Sequence, residues 1–101
     1  MVDVPEAGGE KPFLVVSNNV RNRQLGTVIC ARVSTSPSRP AEIPSIVPIE
    51  DQGAVVGKVL CDDLVAVNKR RLKRMVGALP PRVMMDVGNG LRSALDCDPP
   101  G

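Results

Sequence analysis

The alternating segment TVICARVST, Thr27 to Thr35, constrains the fold of this chain more than any other feature of its sequence. Successive side chains of a β-strand point to opposite faces, so three apolar residues share one face: Ile29, Ala31 and Val33. The other face carries Val28 and Cys30, followed by a guanidinium and a hydroxyl side by side, from Arg32 and Ser34. We therefore expect a strand whose polar groups point away from the core. A plain solvated sheet face is the alternative, and the pattern alone favours it.

The rest of the chain consists mostly of short apolar runs separated by proline, glycine and serine, which is typical of a mainly β domain. Further strands are expected at four places: residues 13–17, 45–49, 57–67 and 74–78. We expect a single helical turn at residues 69–72, and a short or missing first strand followed by a loop within residues 1–10.

The segment LPPRVMMDVGNGLRSALD, residues 79–96, predicts the one convincing helix, because its two prolines suit a first helical turn. Its apolar residues recur at helical spacing: Met84, Val87, Leu91 and Leu95. The elements together predict one domain over residues 1–101, with residues 97–101 as a tail. Its expected architecture is a small, strongly bent antiparallel sheet or barrel, closed by the C-terminal helix.

Histidine, tryptophan and tyrosine are absent, and Phe13 is the only aromatic residue. This composition excludes serine–histidine and cysteine–histidine triads, histidine-based metal hydrolases, and modules that stack bases on an aromatic sheet. Three widely spaced cysteines without a CxxC pair favour reduced thiols, at least two of them in the core: Cys30, Cys61 and Cys97. No apolar stretch approaches the ~20 residues of a membrane span and no leader opens the chain, so we expect a cytoplasmic protein.

Two polar segments stand out. SNNVRNR, Ser17 to Arg23, follows a predicted strand, and its composition fits an RNA-contacting loop and a solvated, asparagine-rich turn equally well. NKRRLKR, Asn68 to Arg74, has five cations in six positions and can follow a phosphate backbone, but we favour a solvated helical turn with Leu72 inside. Asp62 and Asp63 are interpreted as a strand-end turn, because adjacent strand residues face opposite ways and no third metal ligand is evident.

Four segments, in this order, resemble the MazF/PemK family of toxin–antitoxin toxins: KPFLVVSNNVRNR, TVICARVSTSP, GKVLCDDLVAVNKRRLKRMVGAL and GLRSALD. The resemblance covers Lys11 to Asp96 and rests on the order and spacing of these segments. It implies a small SH3-like barrel of the MazF/PemK/CcdB type, usually a homodimer, and a cognate antitoxin as partner. The family's usual N-terminal strand and loop are shortened here to VDVPEAGGE.

The resemblance also implies a metal-independent endoribonuclease without a cofactor, cleaving single-stranded RNA to 2',3'-cyclic phosphate and 5'-hydroxyl ends. Messenger RNA is the expected substrate class, with tRNA and rRNA as further candidates. The family's catalytic arginine, in an Arg-Pro step, falls on Lys11; its catalytic threonine falls on Ser34, with Thr35 beside it. Arg32 is our own addition, because it shares a face with Ser34 and can supply the guanidinium that Lys11 lacks.

Alignment with the family further predicts that the SNNVRNR segment and the loop after the second strand contact RNA beside the active groove. The expected RNA-binding residues are Asn19, Arg21, Asn22, Arg23 and Ser36. Two alternatives stay open at this point. One is a toxin of the same fold that binds a protein target such as DNA gyrase, and the other is a catalytically degenerate family member.

Overall fold

The computed structural model describes residues 1–6, 9–35, 43–75 and 77–96. Within them, six strands form one antiparallel sheet: β1 (Val2–Glu6), β2 (Gly9–Val15), β3 (Thr27–Ser34), β4 (Ile46–Asp51), β5 (Ala54–Asn68) and β6 (Arg74–Met75). The helical elements are α1 (Asn19–Gln24), a 3₁₀ turn (Lys69–Arg71) and α2 (Pro81–Ala94). The predicted first strand is present, and both the 3₁₀ turn and the C-terminal helix lie where the sequence predicts them.

The strands follow the order β4-β5-β3-β2-β1-β6, which leaves β4 and β6 at two edges of the described sheet. The mainly β fold with a C-terminal helix is confirmed, but the sheet is open and does not close into a barrel. The edge at β6 is short, because only two residues pair with β1 there, Met75 with Val2 and Arg74 with Asp3. Residues 77–80, predicted to continue this strand or to start the helix, are irregular.

Strand β5 is one continuous strand of 15 residues that bends sharply in its middle. Its register against β3 shifts between neighbouring pairs, from Ala31 opposite Leu64 to Arg32 opposite Leu60. Residues 61–63 are therefore extra residues on β5 and form an irregular bulge, which bends the strand and changes the direction of its side chains. The predicted strand-end turn at Asp62 and Asp63 is wrong, because the pairing resumes beyond them.

Two apolar clusters form the core, one on each face of the sheet. The first lies under α2 and contains buried residues from four strands and the helix: Leu14, Ala31, Val47, Ile49, Val59, Cys61 and Val87. The second lies on the opposite face: Val2, Val4, Phe13, Val28, Cys30 and Val67. The face of β3 that carries Arg32 and Ser34 is therefore a core face over its first half, where Val28 and Cys30 are buried, and becomes polar only near its end.

Helix α2 packs on the sheet through Val83, Val87, Gly90 and Leu91. A Cβ atom at Gly90 would lie 3.0 Å from both the Cys61 Sγ and a Val47 methyl group, so glycine allows the close approach of helix and sheet. The predicted apolar face is only partly correct, because Met84 and Leu95 are exposed. Apolar residues occur on two overlapping faces of this helix, and the close contact at Gly90 decides which face turns inward.

The cysteines of the described residues behave as predicted. Cys30 and Cys61 are free and buried, and burial raises the pKa of both thiols. Cys97 lies outside the described residues. Neither α1 nor α2, within the part of the chain that the structure describes, is long and apolar enough to span a bilayer.

Candidate active site

Arg32 is held near the end of β3 by one charged and one aromatic neighbour. Its Nε lies 3.3 Å from Asp63 Oδ1, and its Cζ lies 5.1 Å from the centroid of the Phe13 ring, which is itself buried. The ion pair is 38% and 44% exposed at its two side chains, so it orients the guanidinium more than it stabilises the fold. The bulge at 61–63 brings Asp63 to this position, which is why the sequence did not predict the pair.

Ser34 lies two residues beyond Arg32 and therefore on the same face of β3. Lys58 of β5 is directly opposite Ser34 in the register. Directly opposite residues of an antiparallel pair project to the same face, with Cβ atoms roughly 4.5–5.5 Å apart. The structure thus adds Lys58, a half-buried lysine, to the residues predicted from sequence. Its signal in the sequence is that it is the only polar residue between Ala54 and Cys61.

Lys11 approaches this end of β3 from the neighbouring strand. The β2–β3 ladder ends at the pair Phe13–Arg32. Lys11 lies two residues before Phe13 and Ser34 two residues after Arg32, so both extend from this pair toward the same end of the hairpin. Both also lie on the face of the second core cluster, because Lys11 is paired with the buried Val4. The Lys11 side chain is exposed.

We call the group of Lys11, Arg32, Ser34 and Lys58 the Ser34 site. It combines three cations with a hydroxyl at one end of β3, on the face of the sheet that α2 does not cover. Thr35 follows immediately and is exposed, but adjacent extended residues point to opposite faces. Ser36 lies outside the described residues. In the described part of the chain, no three cysteine, aspartate or glutamate side chains gather as metal ligands.

The SNNVRNR segment forms a helix, α1, and not the predicted loop. Asn18 caps its N-terminus, with its Oδ1 accepting from the Arg21 N–H at 2.9 Å. Asn22 Nδ2 donates to the Ser17 carbonyl oxygen at 2.9 Å, and the Ser17 hydroxyl donates to Asn22 Oδ1 while accepting from the Ile29 N–H at 2.9 Å. These local bonds give the polar residues of the segment a structural use.

Two of the predicted RNA-binding side chains of α1 are thus engaged within the chain. The Arg21 guanidinium donates to the Thr27 carbonyl oxygen at 2.9 Å and to its Oγ1 at 3.2 Å, and Asn22 is used as described above. Asn19 and Arg23 are exposed. Helix α1 lies where β3 begins, whereas Ser34 ends that strand, roughly 23 Å away at about 3.3 Å per residue. The structure therefore brings Lys11, Arg32 and Ser34 together but leaves the α1 residues at the opposite end of the hairpin.

A bent, open antiparallel sheet with a C-terminal helix on one face is also the fold of several solved toxin structures. An endoribonuclease from a mycobacterial species, solved in complex with its cognate antitoxin, superposes with a TM-score of 0.84 at 30% identity, over 98% of this chain and 93% of that one. MazF in a MazE–MazF structure from Deinococcus radiodurans gives a TM-score of 0.73 at 27% identity, over 93% and 88% of the two chains.

Residues 1–95 match the family described as the PemK-like, MazF-like toxin of type II toxin–antitoxin systems, and the chain belongs to this family. The relative named endoribonuclease MazF4 from Mycobacterium tuberculosis is 32% identical over 87 residues, covering 86% of this chain and 80% of its own length. The endoribonuclease MazF of Staphylococcus epidermidis is 30% identical, over 89% and 77% of the two chains. These names support endoribonuclease activity and do not favour the alternative of a toxin that acts only by binding a protein target.

Proposed function

We propose that this toxin cleaves single-stranded RNA at short sequences without a metal ion, and that the Ser34 site performs the cleavage. The observation that carries the proposal is the convergence of Lys11, Arg32 and Lys58 around the Ser34 hydroxyl. Cleavage of a phosphodiester develops negative charge on the phosphate oxygens, and fixed cations and a hydroxyl donor beside those oxygens lower the barrier.

The proposed reaction uses the nucleophile of the substrate itself. The 2'-oxygen attacks the adjacent phosphorus, so the O2'–P bond forms while the P–O5' bond breaks. The 2'-hydroxyl loses a proton and the departing 5'-oxygen gains one. The products are a 2',3'-cyclic phosphate and a 5'-hydroxyl, and the chemistry needs in-line positioning and charge stabilisation more than it needs a histidine.

Each residue of the Ser34 site has a proposed role. Arg32 offers the planar fork that grips two phosphate oxygens, and Asp63 acts as a positioning residue by orienting it. Lys11 and Lys58 act as point charges on either side, and the Ser34 hydroxyl donates to a phosphate oxygen. Thr35 is proposed as a second hydroxyl near the scissile phosphate.

We further propose the biological setting from the relatives. A cognate antitoxin neutralises this toxin, by analogy with the antitoxin complexes named for the mycobacterial and Deinococcus structures. The toxin acts as a homodimer in the cytoplasm, on mRNA or on tRNA and rRNA. Exposed residues of α1, Asn19 and Arg23, and Ser36 contact RNA outside the Ser34 site, whereas Arg21 and Asn22 contribute by shaping α1.

The test is to incubate the purified toxin with a long single-stranded RNA in EDTA and to map the new ends. We expect discrete cuts with 5'-hydroxyl ends, and a fall in rate of about 100-fold in Ser34→Ala and Lys11→Ala. Ser34→Thr keeps the hydroxyl and is expected to retain activity, which makes it the matched control. Thermal unfolding of each variant confirms that it is folded.

Cuts of equal rate in wild type and Ser34→Ala would move the reaction away from this site. No cleavage by folded wild-type protein across many RNA sequences would favour a toxin that binds without cleaving.

A further inference from the structure

The two most basic segments of the sequence meet at the end of β3 opposite the Ser34 site. The Lys69 backbone N–H donates to the Gly26 carbonyl oxygen at 3.0 Å, and the Lys69 ammonium donates to the carbonyl oxygen of Asn22. Asn68 caps the 3₁₀ turn by accepting from the Arg70 N–H at 2.9 Å, and Leu72 packs against the second core cluster. The backbone of NKRRLKR is thus fixed against α1.

This junction presents a concentrated positive charge. Four of its cationic side chains are exposed, and we call them the distal patch: Arg23, Arg70, Arg71 and Lys73. Neither residues 17–30 nor residues 64–75 contain an aspartate or glutamate. The whole chain has a net charge of only +2, so the rest of it carries more acidic than basic residues. The distal patch is therefore a local feature and does not follow from a generally basic protein.

We propose that the distal patch binds the phosphate backbone of RNA whose cleaved segment lies at the Ser34 site. This rests on the proposed function, because it takes the same RNA as the ligand of both sites. Exposed arginine and lysine on a fixed backbone neutralise phosphates without reading bases, and the described part of this junction has no aromatic ring on which a base could stack. The distal patch therefore adds affinity and not sequence preference.

The position of the patch sets the length of RNA that reaches it. The two sites lie at opposite ends of β3, roughly 23 Å apart along the strand. A short RNA that contains only the cleaved sequence occupies the Ser34 site alone, whereas a longer strand continues several nucleotides to the distal patch. The structure thus predicts that affinity depends on substrate length.

The test measures binding of labelled single-stranded RNAs of about 5 and about 20 nucleotides, both containing the mapped cleavage sequence, by fluorescence anisotropy. The Ser34→Ala background prevents turnover. Adding Arg70→Gln and Lys73→Gln is expected to weaken the longer RNA about tenfold and to lower its slope of log affinity against log salt by about 1.4, at roughly 0.7 per phosphate contact. The shorter RNA is expected to change by less than about twofold.

The matched control removes the same charge from α2, with Arg82→Gln and Arg92→Gln, two exposed arginines on the helix. If both double variants weaken the longer RNA equally, net charge explains the effect and the proposal is overturned. A polyglutamate peptide of similar length serves as the competing ligand. If its binding depends on Arg70 and Lys73 while RNA binding does not, the patch recognises an acidic protein segment and the proposal is again overturned.

Failure of the proposed function gives a different result. In that case the wild-type protein cuts no RNA, or Ser34→Ala does not slow the cutting. Binding of RNAs of the same two lengths, of arbitrary sequence, then still reports whether the distal patch holds an RNA backbone.

Discussion

The two ends of strand β3 use similar residues in opposite ways. At its start, Arg21, Asn22 and Lys69 donate to backbone carbonyl oxygens and hold α1 and the 3₁₀ turn in place. At its end, Arg32 lies within a paired sheet, where the backbone groups are largely taken up by the ladders, and it contacts Asp63 and the Phe13 ring. Junctions between helix and strand leave backbone groups that recruit side chains, and a ladder does not. The surroundings, and not the residue type, thus separate structural from functional arginines.

The strongest test of this comparison at the α1 end is Asn22→Ala. The change leaves the Ser17 carbonyl oxygen and hydroxyl without their partner, so we expect the free energy of unfolding to fall by about 2 kcal/mol. Urea denaturation followed by circular dichroism measures it. Asn19→Ala is the matched control, because Asn19 is exposed on the same helix and is expected to change stability by less than about 0.5 kcal/mol.

Equal losses in the two asparagine variants would mean that helix propensity, and not the Ser17–Asn22 pair, explains the effect. RNA cleavage per folded molecule is expected to stay near the wild-type rate in Asn22→Ala. A large loss of cleavage without a loss of stability would return Asn22 to the RNA contacts predicted from sequence.

At the Ser34 end, Lys58→Ala tests the residue that only the register of the sheet identified. We expect kcat to fall about tenfold because one cation near the phosphate oxygens is lost. Stability is expected to change little, since the side chain is only half-buried. Lys58→Arg restores a cation and is expected to recover most of the rate, which a purely structural role for the lysine would not predict. Single-turnover cleavage of a labelled RNA measures both variants.

The smallest expected effect is that of Asp63→Asn, which removes the charge beside Arg32 and keeps the shape of the side chain. We expect about a threefold fall in kcat because the guanidinium is less firmly oriented, with less than about 1 kcal/mol lost in stability because the pair is exposed. The fall is expected to shrink as salt is added, since salt screens exposed pairs. An unchanged rate would show that Phe13 alone orients Arg32.

Local patterns predicted well those parts of the fold that depend on neighbouring residues. The bounds of β3, Thr27–Ser34, follow from its alternation, and the 3₁₀ turn and α2 follow from their capping and spacing. Helix α1 was missed because six residues are too few for a periodic pattern, although Asn18 three residues before Arg21 is a recognisable cap. Residues 61–63 were misread because a bulge and a turn have similar compositions.

By itself, the sequence determined a mainly β fold with a C-terminal helix, the family and the predicted roles of Lys11 and Ser34. Only the tertiary structure decided that Lys58 lies opposite Ser34, that Asp63 reaches Arg32, and that the two basic segments meet at α1. The physical reason is that these contacts join residues far apart in the chain. Their partners depend on the register between strands, and a bulge of three residues in β5 is enough to change which side chains face each other.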